Sequence, residues 1–237
     1  VQRVRSLQAI NRSPELLVKN ARALVVADPI YNVDDSRLTV KPSQQDGLKP
    51  YPRLSNTHQE SELIKAQLNA TVMAGFDANK AQLLSTDLSP FNVLHIASHA
   101  FFHPEIPGLS SLVLSAYAEN GQPQQSAYLR ALDITELNNQ FDLTVLSACE
   151  TGIGEVDDAL GLTGLTESFL QAGSDYVISS LWQVDDQASS RFMAYFYTNL
   201  STEVSIDQAF WSAQKAMLKN PRTRHPKYWA GWFLIKQ

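Results

Sequence analysis

The chain has 237 residues, a formal net charge of -5, 44% hydrophobic and 18% charged residues, a composition ordinary for a globular protein and long enough to bury one sizeable core. The acidic balance and scattered lysines and arginines, with no dense basic run, argue against direct nucleic-acid binding. The single cysteine rules out an intrachain disulfide and fits a reducing cytoplasmic compartment, and the sequence has neither an apolar run of membrane-spanning length nor a signal-peptide pattern, so no membrane partner is expected. The first residue is Val1 rather than Met, which reads as a fragment of something longer or a processed product.

Residues 1–20 read as a peripheral tail or linker, with Ser13-Pro14 as a short helix start. The first clear strand is Ala23 to Ala27, closed by Asp28-Pro29. The stretch from Ile30 to Leu54 is polar and broken by Pro42, Gly47, Pro50 and Pro52, a long surface loop with one edge strand at Leu38 to Val40. Thr57 and Glu60 have capping-box spacing and open a helix to about Asn69. Val72 to Ala74 forms a short strand, and Asp77 caps a helix to about Ser85. Phe91 to His99 is a buried strand ending in small residues and a histidine. Ser111 to Tyr117 and Ala127 to Arg130 form a hairpin around Asn120-Gly121, and Asp133 with Glu136 marks a short helix start.

The apolar run Leu143 to Leu146 is a second buried strand, followed by Ser147, Ala148, Cys149 and a loop punctuated by Gly152 and Gly154. A helix from Ala159 to Ala172 stops at Gly173. Tyr176 to Trp182 is a strand, Asp185 or Asp186 caps a helix to about Leu200, Ser205 and Gln208 cap the next, and Tyr228 to Ile235 is the last strand. Strands alternating with helices predict a mostly parallel sheet covered on both faces. If the His99 and Cys149 strands are parallel neighbours, a right-handed crossover brings both residues to one rim.

A thiol just past the end of a buried strand sits where open α/β sheets place their chemistry. Cys149 has two readings on pattern alone: a nucleophile paired with His99, or a buried structural thiol. The gap from His99 to Cys149 matches the His-to-Cys separation of caspase-type peptidases. His95, His99 and His103 are spaced four apart, but on a strand this separates the side chains by roughly 13 Å, so no metal face is expected. His95 reads as a satisfied core histidine, and His58 and His225 as structural. The glycines Gly152, Gly154, Gly161 and Gly164 match no phosphate loop and read as loop-shaping or helix-packing residues.

At V93-L-H-I-A-S-H-A100, L146-S-A-C-E-T-G-I-G-E155, A172-G, S180-L-W-Q-V-D-D186 and H225-P-K-Y-W-A-G-W-F-L-I235 the chain resembles the CHAT domain, a member of the caspase–separase superfamily of cysteine peptidases. The resemblance runs from about Leu24 onward and implies a CHAT-type peptidase domain over 21–237. Its expected fold is caspase-haemoglobinase-like α/β, a mostly parallel sheet flanked by helices on both faces with a β-hairpin insertion. It also implies a catalytic His99–Cys149 dyad, an oxyanion hole from the backbone N–H groups of Ala100 and Cys149, and no metal or other cofactor. CHAT domains often follow tetratricopeptide repeats, which implies regulatory repeats in the full-length protein.

The family usually has glycine where this chain has Ala100, which adds strain if that position needs positive φ. The resemblance therefore leaves a cysteine endopeptidase acting on protein or peptide substrates, or a catalytically silent scaffold of the same fold that binds a partner. The acidic, glycine-rich loop Gly152 to Asp158 is expected to order only when a ligand or partner arrives, leaving the isolated chain weakly active. Asp186 and Asp185 follow a strand expected beside the Cys149 strand, and Asp186 matches a separase aspartate. The two are the candidates for a pocket that takes a basic residue before the scissile bond, with Asp157 and Asp158 adding negative potential.

Overall fold

The computed structural model describes residues 21–41, 51–103, 105–137, 140–150, 158–182, 184–202 and 204–237, with the backbone alone at 149–150 and 158–163. The tail over 1–20 with its Ser13-Pro14 helix start, and the loop over 151–157 with Asp157, lie outside these residues. In chain order the elements are β1 (Arg22–Pro29), α1 (Asn56–Gln67), β2 (Asn69–Gly75), α2 (Lys80–Ser85), β3 (Val93–Ala97), β4 (His99–Phe101), β5 (Ser111–Val113) and β6 (Tyr128–Arg130). There follow α3 (Ala131–Thr135), β7 (Leu143–Leu146), β8 (Cys149–Glu150), α4 (Asp158–Gln171), β9 (Tyr176–Ser180), α5 (Asp186–Leu200), α6 (Ile206–Lys219) and β10 (Trp232–Lys236).

The main sheet has the order β10-β9-β7-β3-β1-β2. Every neighbouring pair is parallel except β10 on β9. Side chains alternate across a strand, and β1 shows the consequence. Ala23, Val25 and Ala27 join a core with Ile64 of α1, Phe192 and Phe196 of α5, and Ala213 and Met217 of α6. Leu24 and Val26 face the other way, toward Leu83 of α2, Ile134 of α3 and Phe169 of α4. Both faces are thus covered, which is why the inner strands read as unbroken apolar runs.

A second sheet, β6-β5-β4-β8, sits beyond the ends of β3 and β7. Its β5–β6 pair is the expected hairpin, and Gly121 takes φ 77 in the connecting turn, a conformation glycine adopts without a Cβ clash. Gly164 packs as expected: a Cβ there would lie 2.9 Å from the Pro107 carbonyl oxygen.

Several local expectations give way to tertiary contacts. The Phe91–His99 strand is two strands, broken at Ser98, so His99 begins β4 rather than ending β3. Thr57 and Glu60 form no capping box; Ser55 is the N-cap and offers no side-chain bond. Asn79, not Asp77, caps α2 by accepting from the Gln82 N–H. Asp133 lies inside α3 and accepts from the Arg130 N–H and Lys80 Nζ. Residues 38–40 form no strand; Thr39 bonds through its N–H and Oγ1 to the Glu119 carbonyl.

Glu60 turns inward because His95 offers it a better partner. Glu60 Oε1 lies 2.7 Å from His95 Nε2, and His95 Nδ1 lies 3.0 Å from the Tyr197 hydroxyl. All three residues are buried, and burial holds the Tyr197 phenol well above its ordinary range. The network ties α1 to β3 and α5, and His95 is the satisfied core histidine that its apolar surroundings predict. Replacing His95 with Ala strands a carboxylate and a phenol in the core. We expect His95→Ala to cost about 3 kcal/mol or more in denaturant unfolding; a loss within ordinary surface-mutation scatter would contradict this.

Candidate active site

The strands β3 and β7 are parallel neighbours, with Ile96 opposite Leu146. Beyond a two-residue step, at which the Ser147 N–H still donates to the Ile96 carbonyl, both chains continue into the second sheet. There β4 and β8 pair in parallel, with His99 opposite Cys149 and Ala100 opposite Glu150. In-register residues on neighbouring strands are about 4.8 Å apart. The two residues singled out in the sequence are thus side by side on one rim.

His99 is held from three directions. Its Nε2 lies 2.7 Å from the Pro52 carbonyl oxygen. A carbonyl only accepts, so Nε2 carries the proton and Nδ1 is the free basic nitrogen of the neutral ring. The Tyr51 ring stacks on the imidazole at 5.2 Å between centroids, and the Tyr31 ring tilts against it at 4.9 Å. The Tyr31 hydroxyl also accepts from the His99 backbone N–H. Burial pushes Tyr31 far above the usual phenol range, so it stays neutral. Burial likewise lowers the His99 pKa below its ordinary value, opposed by the Pro52 hydrogen bond and the Asp186 charge.

Ala100 is buried in mid-strand, between Leu112 on β5 and Glu150 on β8. Among the described residues Asp28 is the one non-glycine residue at positive φ. Ala100 therefore carries none of the strain that a positive-φ position would impose.

The two candidate acids separate clearly. Asp185 is the N-cap of α5 and accepts from the Ala188 N–H at 3.0 Å. Asp186 accepts from the Asn56 backbone N–H at 3.1 Å and from Asn56 Nδ2 at 2.7 Å. It thus sits at the starts of both α1 and α5, a place that favours negative charge, and its charge is felt at His99. Trp182 lays its indole on Gly231 and donates its Nε1–H to the Lys227 carbonyl. A Cβ at position 231 would lie 2.7 Å from that indole, so a larger residue there would push the ring aside.

A cleft of about 280 Å³ is lined by Tyr31 and Tyr51, whose rings pack on His99, together with Arg53, Asn32, Asp34, Asp35 and Ser36. Sequence reasoning did not single out Pro52, Tyr31, Tyr51 or Asn56. The one available signal was the unusual length of the loop after β1, since long loops in compact domains tend to be functional. Among the described residues no cluster of three His, Cys, Asp or Glu is placed to hold a metal ion, and no helix is long and apolar enough to cross a membrane. His103 instead accepts from the Glu105 and Ile106 N–H groups, and His225 from the Lys227 N–H.

The family model described as CHAT domain matches residues 1–237. Tetratricopeptide repeat protein 28 of Homo sapiens is 27% identical over 212 residues, and that of Mus musculus is 26% identical over 215. Each alignment covers 77% of this chain and 8% of the relative, so the chain spans a small part of the length of these proteins. Among solved structures, the Arg-specific cysteine proteinase gingipain R aligns with a TM-score of 0.48 at 11% identity, over 97% of this chain and 50% of that one.

Because burial disfavours the imidazolium, His99 should titrate below about 6.5, the ordinary histidine value. Asp186 raises that pKa, so Asp186→Asn should move it further down. Histidine NMR titration in a Cys149→Ala background, with no thiolate to couple, reads this directly. A titration above the ordinary value, or an upward shift in Asp186→Asn, would contradict the electrostatic reading.

Proposed function

The chain belongs to the CHAT domain family, and we propose that it is a cysteine endopeptidase working through a His99–Cys149 dyad, as the regulated effector part of a longer repeat-containing protein in a reducing cytoplasm. The observation that carries this reading is the in-register pairing of His99 with Cys149 on two parallel strands at the rim of the sheet. The Pro52 carbonyl adds to it by leaving Nδ1 as the basic atom of the base.

In the proposed reaction, Nδ1 of His99 takes the Cys149 thiol proton and the thiolate attacks the scissile carbonyl carbon. The backbone N–H groups of Ala100 and Cys149 are the proposed donors to the resulting oxyanion. The imidazolium returns its proton to the amine as the C–N bond breaks, leaving a thioester on Cys149. Water, deprotonated by the same imidazole, then hydrolyses the thioester and restores the thiol. No group beyond the chain, the peptide and water is needed for the balance.

Asp186 is the proposed acid for a basic side chain before the cut. Asp185 is committed to its cap, whereas the Asn56 bonds to Asp186 can be exchanged for those of an arriving guanidinium or ammonium. Arginine is favoured over lysine where the carboxylate accepts in bidentate fashion.

A peptidyl electrophile ending in arginine should label Cys149. Cys149→Ala should lose labelling and hydrolysis entirely while melting close to the parent, and His99→Ala should lose about 10²–10⁴-fold in rate. Unchanged labelling in folded His99→Ala would remove the dyad and favour the silent-scaffold reading. On a peptide library, Asp186→Asn should erase the basic preference; an unchanged preference would remove Asp186 from the pocket.

A further inference from the structure

We propose that Asp28 is a positioning residue for the active-site base, acting through Arg53 to fix the Pro52 carbonyl on His99; this rests on the dyad reading above. Asp28 is buried at the end of β1, where the β1–β2 register shifts, and holds φ 50. That backbone conformation is uncommon for a residue with a side chain and persists where the surroundings enforce it. Here it turns the carboxylate toward two arginines. Arg53 grips it with a fork, Nε to Oδ1 at 2.8 Å and Nη2 to Oδ2 at 2.6 Å. Arg37 Nη1 reaches Oδ2 at 2.8 Å and the Asp28 carbonyl at 3.0 Å, while its Nε and Nη2 hold Asp35.

The backbone of Asp28 completes the clamp. Its N–H donates to Thr57 Oγ1, whose hydroxyl in turn donates to the Leu54 carbonyl. Residues 53 and 57 are thus both tied to one aspartate, and Pro52 is the residue immediately before the fork. Proline offers no N–H of its own to anchor it. The described contacts that hold its carbonyl on His99 Nε2 therefore run through its neighbours. A base must be held to within about half an ångström of its productive position, and the Asp28–Arg53 fork supplies that constraint from outside the dyad. Among the described residues Asp28 has no hydrogen bond to His99, so its proposed effect passes through the carbonyl.

The test is the pH dependence of Cys149 alkylation by iodoacetamide, which reads the chain's single thiol without needing a substrate. The parent chain should alkylate well below the ordinary thiol range near about 8.5, because His99 takes the proton. Arg53→Met should slow alkylation near neutral pH by roughly tenfold or more and converge with the parent above the thiol's own titration. Asp28→Asn should follow the same profile, and Arg53→Lys should fall between, since it keeps the charge without the fork. Melting curves identify the folded variants; if Arg53→Met does not fold, Arg53→Lys carries the comparison. A folded fork variant whose profile superimposes on the parent overturns the positioning role with the dyad intact. Parent and His99→Ala chains that both titrate as free thiols would overturn the dyad reading, and the positioning role with it.

Discussion

Two parallel strands leaving the main sheet side by side are the constraint on which the rest of the site depends. β3 and β7 are neighbours because an intervening crossover returns the chain beside its own start. Each then leaves the sheet through small residues, Ser98 after β3 and Ser147-Ala148 after β7. Bulky side chains at that step would collide where two buried sheets meet. The small residues let both strands resume pairing, two intervening residues after the last β3–β7 pair, with His99 opposite Cys149. The pairing of His99 and Cys149, the proposed base and nucleophile, is therefore a property of the backbone ladder.

The segment over 51–60 converts this rim into a defined environment. Pro52 accepts from His99, Arg53 and Thr57 hold Asp28, Asn56 holds Asp186, and Glu60 reaches into the core to His95. One helix start thereby binds the ends of β1, β3 and α5 together. The buried Glu60–His95–Tyr197 network and the His99 contacts lie on the same helix and its lead-in, so stability and site geometry are coupled through α1. Glu60 Oε2 has no hydrogen-bond partner among the described residues, which marks this network as held in place by the fold around it rather than by complete polar satisfaction.

Much of this architecture was legible in the sequence, because apolar runs and glycine stops are local signals. The order of strands and helices, the hairpin at Asn120-Gly121, the core role of His95 and the neighbouring rims of His99 and Cys149 all followed from pattern and crossover handedness. Reading failed where a distant residue outcompeted a local one. Glu60 had the spacing of a capping box, but a buried imidazole 35 residues away in sequence took it instead. The contact between Asp186 and Asn56, 130 residues apart in sequence, was likewise invisible to local pattern. The break at Ser98 carries no glycine or proline, so the two strands read as one. The Asp28 clamp was hidden for the same reason: its partners stand in a loop with no periodicity to announce them.

In the proposed dyad His99, aimed by the Pro52 carbonyl, serves Cys149. It is tested by a crystal structure of the chain alkylated, with loss of chloride, by a peptidyl chloromethyl ketone ending in arginine. The account predicts a thioether at Cys149 Sγ, His99 Nε2 still on the Pro52 carbonyl and Nδ1 facing the sulfur. Modification at another residue, or a His99 ring turned so that Nδ1 points away from an alkylated Cys149, would contradict it.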